Sequence, residues 1–296
     1  MTALYDRLAT LAGNGTLPDA FRYAFFVRGL LSVALLAPLL GGLSHVVVSR
    51  RLSFFSAALG QAALTGLTIG VVLGEPLNAA YGGIFGFCFL SALVMVYVQR
   101  HASLPPDTLV GVFLSFTLGL GICLLVAVTK RFNIHQVEAV MFGSLLTVTD
   151  TDLALLLGIT VLVTAILAWV YNRLLLDSVA PVFGRKAVLD YLFVLLLTAA
   201  VVVSLKVIGA LLVEAMVVVP AAAARNLART LRGYLVLSVA TALAAGVGGL
   251  FVSTQLLVPS GGAVVLALSV LFVLTLLAGG VRSFLARGDA GERPAQ

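Results

Sequence analysis

Residues 188–220 read VLDYLFVLLLTAAVVVSLKVIGALLVEAMVVVP. An apolar run over 188–205 is followed, past Lys206, by a shorter one over 207–220 that stops at a proline. A helix rises about 1.5 Å per residue, so roughly 20 apolar residues cross the hydrocarbon core of a bilayer. The first run is long enough to span. The second is too short to span comfortably, and Pro220 should end or kink it, because proline lacks the N–H and its ring clashes with the preceding turn. The pair predicts a membrane span followed by a short broken helix.

Outward from this stretch the same pattern repeats. Apolar runs lie at 24–49, 54–74, 79–98, 106–128, 152–172, 188–205, 207–220, 233–254 and 260–281, which makes nine. Of 296 residues, 61% are hydrophobic and 10% charged, with a mean hydropathy of +1.16. Soluble domains carry about a quarter charged residues, and a chain this apolar has surface only lipid can cover. The expected fold is therefore an all-α polytopic membrane bundle of about nine spans. Residues 1–23 form an N-terminal external segment without the pattern of a cleavable signal peptide. Residues 24–282 form the transmembrane domain, and 283–296 a disordered cytoplasmic tail.

The net charge of +6 reads as loop arginines setting topology, not as a nucleic-acid surface. With the Arg50–Arg51 turn placed in the cytoplasm, 12 of the 18 basic residues fall inside. These are Arg50, Arg51, Arg100, Arg173, Arg185, Lys186, Arg225, Arg229, Arg232, Arg282, Arg287 and Arg293. The bias predicts an N-out, C-in chain in a bacterial-type inner or plasma membrane, although Lys130 and Arg131 fall on the wrong side. Cys88 and Cys123 lie inside apolar runs and read as core or lipid-facing residues. Gly66, Gly70 and Gly74 recur every four residues and read as a helix-packing stripe, with a substrate passage as the alternative.

The chemistry that is missing narrows the function. No Gly-x-x-x-x-Gly-Lys-Ser/Thr phosphate loop occurs, so the chain should not split ATP itself. Pro259-Ser260-Gly261-Gly262 reads as a plain outer turn. No nucleophile–histidine constellation or His-x-x-x-His lies at depth, which argues against an intramembrane enzyme. After Pro220 comes an alanine-rich stretch with Arg225, Arg229 and Arg232 spaced by four and three, which a single helix would place on one face. Such a basic helix suits docking on a partner, and broken helices are common in transporters.

The chain resembles the permease subunit of the zinc/manganese/iron class of ABC importers. The resemblance rests on Arg28, on the Arg50-Arg51-Leu52-Ser53 turn, on Asp107 to Gly111 and on Phe142 to Leu146. It rests most on Lys206 to Val213 with Val219 to Arg225, and on Val258 to Gly262. The resemblance implies a homodimer of permeases in membrane lipid, two ATPase subunits that carry the ATP and Mg, and an external solute-binding protein. It implies no cofactor on this chain. It also implies that Pro220, Arg225, Arg229 and Arg232 belong to a coupling helix seated in the ATPase.

One departure bears on the substrate. After the Arg-Arg turn the family reads Gly-Asp-x-x-x-His, its metal-handling pair; here Ala57 and Gln61 stand at those positions. Alanine ligates nothing, and a glutamine amide suits zinc poorly. Glu214 is the one acid well inside an apolar run, where ionisable groups are costly and functional. Counted from Arg51 and Pro220, Gln61 and Glu214 lie roughly 15 and 9 Å from the cytoplasmic side, a depth that lets both face one pathway. Glu214 is thus the candidate metal contact, and the alternative is a packing residue, either protonated or paired with a Lys or Arg. Other readings of the whole chain are a permease for a non-metal small solute and an ion-coupled secondary transporter using Glu214. His135 and Glu138 could share a helical face; His45 and His101 read as interfacial.

Overall fold

The computed structural model describes residues 23–75, 81–102, 104–129, 148–179, 187–256 and 258–291. Lys130, Arg131, His135 and Glu138 lie outside the described residues. Nine described helices are long and apolar enough to cross a membrane. They are α1 (Ala24–Ser49), α2 (Phe55–Val72), α3 (Tyr81–His101), α4 (Pro106–Thr129) and α5 (Asp150–Val179). Then come α6 (Ala187–Ile208), α7 (Ala210–Leu227), α8 (Leu231–Leu256) and α9 (Ser260–Gly291). The multi-pass helical bundle expected from the apolar runs is what folds.

Helices α1, α2 and α6 are the most buried and form the centre. Helix α2 packs on α3 and α4, while α1 packs on α7 and α8, with α9 against α7 and α8. Polar contacts at the helix ends fix the alternation. Arg28 Nε meets Asp150 Oδ1 at 2.8 Å, joining the starts of α1 and α5. Asp190, at the start of α6, accepts from Arg50 at 2.6 Å and Arg100 at 2.8 Å, the ends of α1 and α3. On the opposite face Lys206 Nζ sits 3.2 Å above the Tyr81 ring, so the end of α6 meets the start of α3. Helices α1, α3 and α5 therefore run one way and α6 the other.

The glycine stripe is a packing device. A β-carbon on Gly66 would meet the Gly83 carbonyl oxygen at 2.6 Å, and one on Gly83 would strike the backbone of Gly66 and Gly70. Only glycine lets α2 and α3 approach this closely. Gly74 is not part of that contact. It lies just past α2 with φ +97, a left-handed cap glycine. Cys88 is buried, Cys123 exposed, and both are free thiols.

Three expectations change. Pro220 does not end its helix: α7 runs on to Leu227. The break lies instead at Gly209, whose φ of +81 with ψ of 165 is open to glycine and lets α6 stop and α7 start one residue apart. His45 is not interfacial but 1% exposed, with the rings of Tyr171 and Tyr234 at 5.5 and 5.9 Å. Residues 283–291 continue α9 as helix, because no proline or cap interrupts the sequence before Pro294. His101 is exposed, as an interfacial residue should be.

Candidate translocation site

Helix α2 is buried over most of its length, but Ala57 and Gln61 are half-exposed. They are four residues apart and so share one face. Ala57 and Gln61 are thus on the accessible side of an otherwise buried helix. Gln61 Oε1 is itself buried and has no hydrogen-bond partner among the described residues. Ser56 Oγ, one position before Ala57, is in the same condition.

Helix α7 supplies the other wall. Between Leu211 and Arg225 its less buried positions are Leu211, Glu214, Ala215, Val218, Val219, Ala222 and Arg225, with Arg225 and Leu211 exposed. The spacing of three, four and seven makes this a single face from Leu211 to Arg225. The Glu214 carboxylate lies against α2: its Oε1 is 3.5 Å from the point a β-carbon on Gly60 would occupy, with Ala210 Cβ beside it at 3.4 Å. No hydrogen bond or ion pair reaches Glu214 among the described residues.

The structure therefore brings Glu214 to the residue next to Gln61. The depth argument had a different basis. Because α7 continues 13 residues past Glu214 to Leu227, Glu214 lies about 20 Å from that end at roughly 1.5 Å per residue. The acid is deeper than a helix ending at Pro220 would place it. A carboxylate and an amide oxygen are both hard donors. Among the described residues, no group of three or more His, Cys, Asp or Glu could hold a metal ion.

The basic segment is distributed over three pieces of structure. Arg225 is in the last turn of α7, Arg229 in the turn at 228–230, and Arg232 at the start of α8. They do not share one helical face as the spacing alone suggested. All three are exposed. Arg225 shares its face with Glu214 instead. Two residues without a sequence signal complete α7. Ser44 Oγ of α1 accepts from the Ala221 N–H at 3.1 Å, and Thr241 Oγ1 of α8 is 3.3 Å from the Pro220 carbonyl oxygen. Asp190, the acid between Arg50 and Arg100, was equally unmarked in the sequence.

Residues 22–279 match the ABC 3 transport family, nearly the whole bundle just described. The chain belongs to the ABC 3 transport family. Among its relatives, the manganese import system permease protein ScaB of Streptococcus gordonii is 26% identical over 90% of this chain and 95% of that protein. The high-affinity zinc uptake system membrane protein ZnuB of Haemophilus influenzae is 27% identical over 83% of this chain and 95% of its own length. PsaBC from Streptococcus pneumoniae, solved in complex with Fab, aligns with a TM-score of 0.73 at 25% identity, covering 93% of this chain and 95% of that one. Membership in the ABC 3 transport family makes this a transporter permease and leaves the ion-coupled secondary transporter without support.

Proposed function

We propose that the chain is the membrane-spanning permease subunit of an ATP-driven importer of a divalent metal ion, and that Glu214 and Gln61 line the path. The observation that carries this is the Glu214 carboxylate, unpaired at depth against Gly60 of α2, the residue before Gln61, whose amide oxygen is buried and unpartnered among the described residues. An ionisable group inside a membrane span is expensive, on the order of 2–3 kcal/mol, and belongs to function. Relatives named for manganese and zinc import support a metal substrate. Two oxygen donors favour Mn²⁺ over Zn²⁺, which prefers imidazole and thiolate.

The less buried face of α7 from Leu211 to Arg225 is the wall that a second copy of the chain would complete, giving a path between two permeases. Arg225, Arg229 and Arg232, at and beyond the end of that wall, form the docking surface for an ATPase subunit that binds ATP and Mg. A solute-binding protein delivers the ion from outside. The N-terminus is outside and the C-terminus in the cytoplasm, in keeping with the basic-residue bias. A second reading, a non-metal small solute, is favoured by Ala57 and Gln61 in place of the family's Asp and His.

The test is Glu214→Gln, which keeps shape and removes charge, in the assembled transporter reconstituted in vesicles. Mn²⁺ uptake should fall at least about tenfold, a barrier increase of roughly 1.4 kcal/mol, while copurification with the ATPase is unchanged. Unchanged uptake makes Glu214 a packing residue. A parent complex that moves neither Mn²⁺ nor Zn²⁺ favours the second reading.

A further inference from the structure

Three rings from three helices meet in the core, on neither α2 nor α7, the two helices that carry the proposed path. They are His45 of α1, Tyr171 of α5 and Tyr234, the fourth residue of α8. The Tyr171 ring is tilted against the imidazole at 5.5 Å between centroids, and the Tyr234 ring meets it edge-on at 5.9 Å. His45 is 1% exposed. Both of its ring nitrogens and both tyrosine hydroxyls are buried and make no hydrogen bond among the described residues. The Gly42 carbonyl lies near the imidazole, and Arg225 acts on Tyr234 through space, but neither closes a hydrogen bond.

A buried donor or acceptor without a partner carries its full desolvation cost. Native interiors therefore satisfy such groups with protein or with ordered water, inside membrane bundles as well. Here four of these atoms belong to three rings in contact, so a shared occupant can serve several of them. That occupant must both donate and accept. An uncharged imidazole offers one donor and one acceptor nitrogen, and each phenol hydroxyl can play either part. It must also be small, because the rings already pack against one another. Water meets both conditions, and a buried water takes about three hydrogen bonds. The two nitrogens lie on different edges of the imidazole, so each can hold its own water. We propose that ordered water binds among His45, Tyr171 and Tyr234 and bridges the imidazole to both hydroxyls, tying the first turn of α8 to α1 and α5. The inference depends neither on the Glu214 path nor on the arginine docking surface.

The test is a set of melting curves on the full chain in neutral detergent. Removing a hydroxyl that has no partner relieves a desolvation cost and leaves the midpoint unchanged or raised, whereas removing one that holds water lowers it. Tyr171→Phe and Tyr234→Phe should each lower the midpoint by about 2–4 °C. With His45→Leu already in place, each of these shifts should shrink by at least about half, because the bridging water has lost its other anchor. His45→Phe serves the same cycle if His45→Leu does not fold. Either tyrosine variant melting at or above the parent overturns the proposal, as do tyrosine shifts that stay the same without the imidazole. A metal ion bound at one per chain in the parent, and lost from His45→Leu, would assign the site to a cation and likewise overturn it.

Discussion

Pro220 removes one N–H donor from the interior of α7, and its ring crowds the carbonyl four residues back. In water such a residue stops a helix. Inside a bundle the disturbed groups find other partners: the Ala221 N–H reaches Ser44 Oγ, and the Pro220 carbonyl lies within reach of Thr241 Oγ1. The helix therefore continues for seven residues. No local reading could anticipate this, since Ser44 lies 177 positions away in the chain. Ser44→Ala is expected to destabilise the protein by about 1 kcal/mol, because a buried donor loses its acceptor and must return to a distorted helical bond. Denaturation in mixed micelles checks it; an unchanged midpoint would show that α7 tolerates Pro220 without help from α1.

At the scale of the helices, apolar length was the legible property. The runs at 24–49 and 106–128 match α1 and α4 within a residue, and no span is missing. Termini set by local backbone freedom were less legible, as Gly209 shows: its positive φ ends α6 three residues past Lys206, where the apolar runs divide. Pairing of helices was legible only where small residues recur, as with Gly66 and Gly70, and even there the partner Gly83 was not identifiable. Gly83→Ala should cost about 2–3 kcal/mol, since a methyl group there strikes backbone that cannot rotate away. Gly86→Ala, one turn on, has nothing within 4 Å of the added carbon and should stabilise α3 by about 0.5–1 kcal/mol. The pair separates close approach from helix propensity in one melting experiment; equal shifts would remove the packing argument.

At the scale of the whole molecule, Glu214 and Arg225 occupy one face of a continuous helix, eleven residues apart, or about 16 Å along its axis. Gln61 and Glu214 stood out in the sequence because each was chemically odd for its place. What joins them to the basic residues, a helix that survives its proline, was not legible. In the proposed importer that continuity would serve energy coupling. A rod from the exposed arginines to the deep carboxylate would carry a displacement at its foot to the proposed path, whereas a helix ending at Pro220 would need a hinge. Arg225→Glu with Arg229→Glu is therefore expected to lower substrate uptake at least about tenfold, at an ATPase rate within twofold of the parent, because reversed charge disrupts docking geometry more than nucleotide chemistry. The same surface provides an orientation check. Arg229→Cys should react with an impermeant maleimide only from the cytoplasmic side, and the bound ATPase should protect it. Normal uptake by the double variant would remove the coupling role, and labelling of Arg229→Cys from outside would invert the topology on which that role depends.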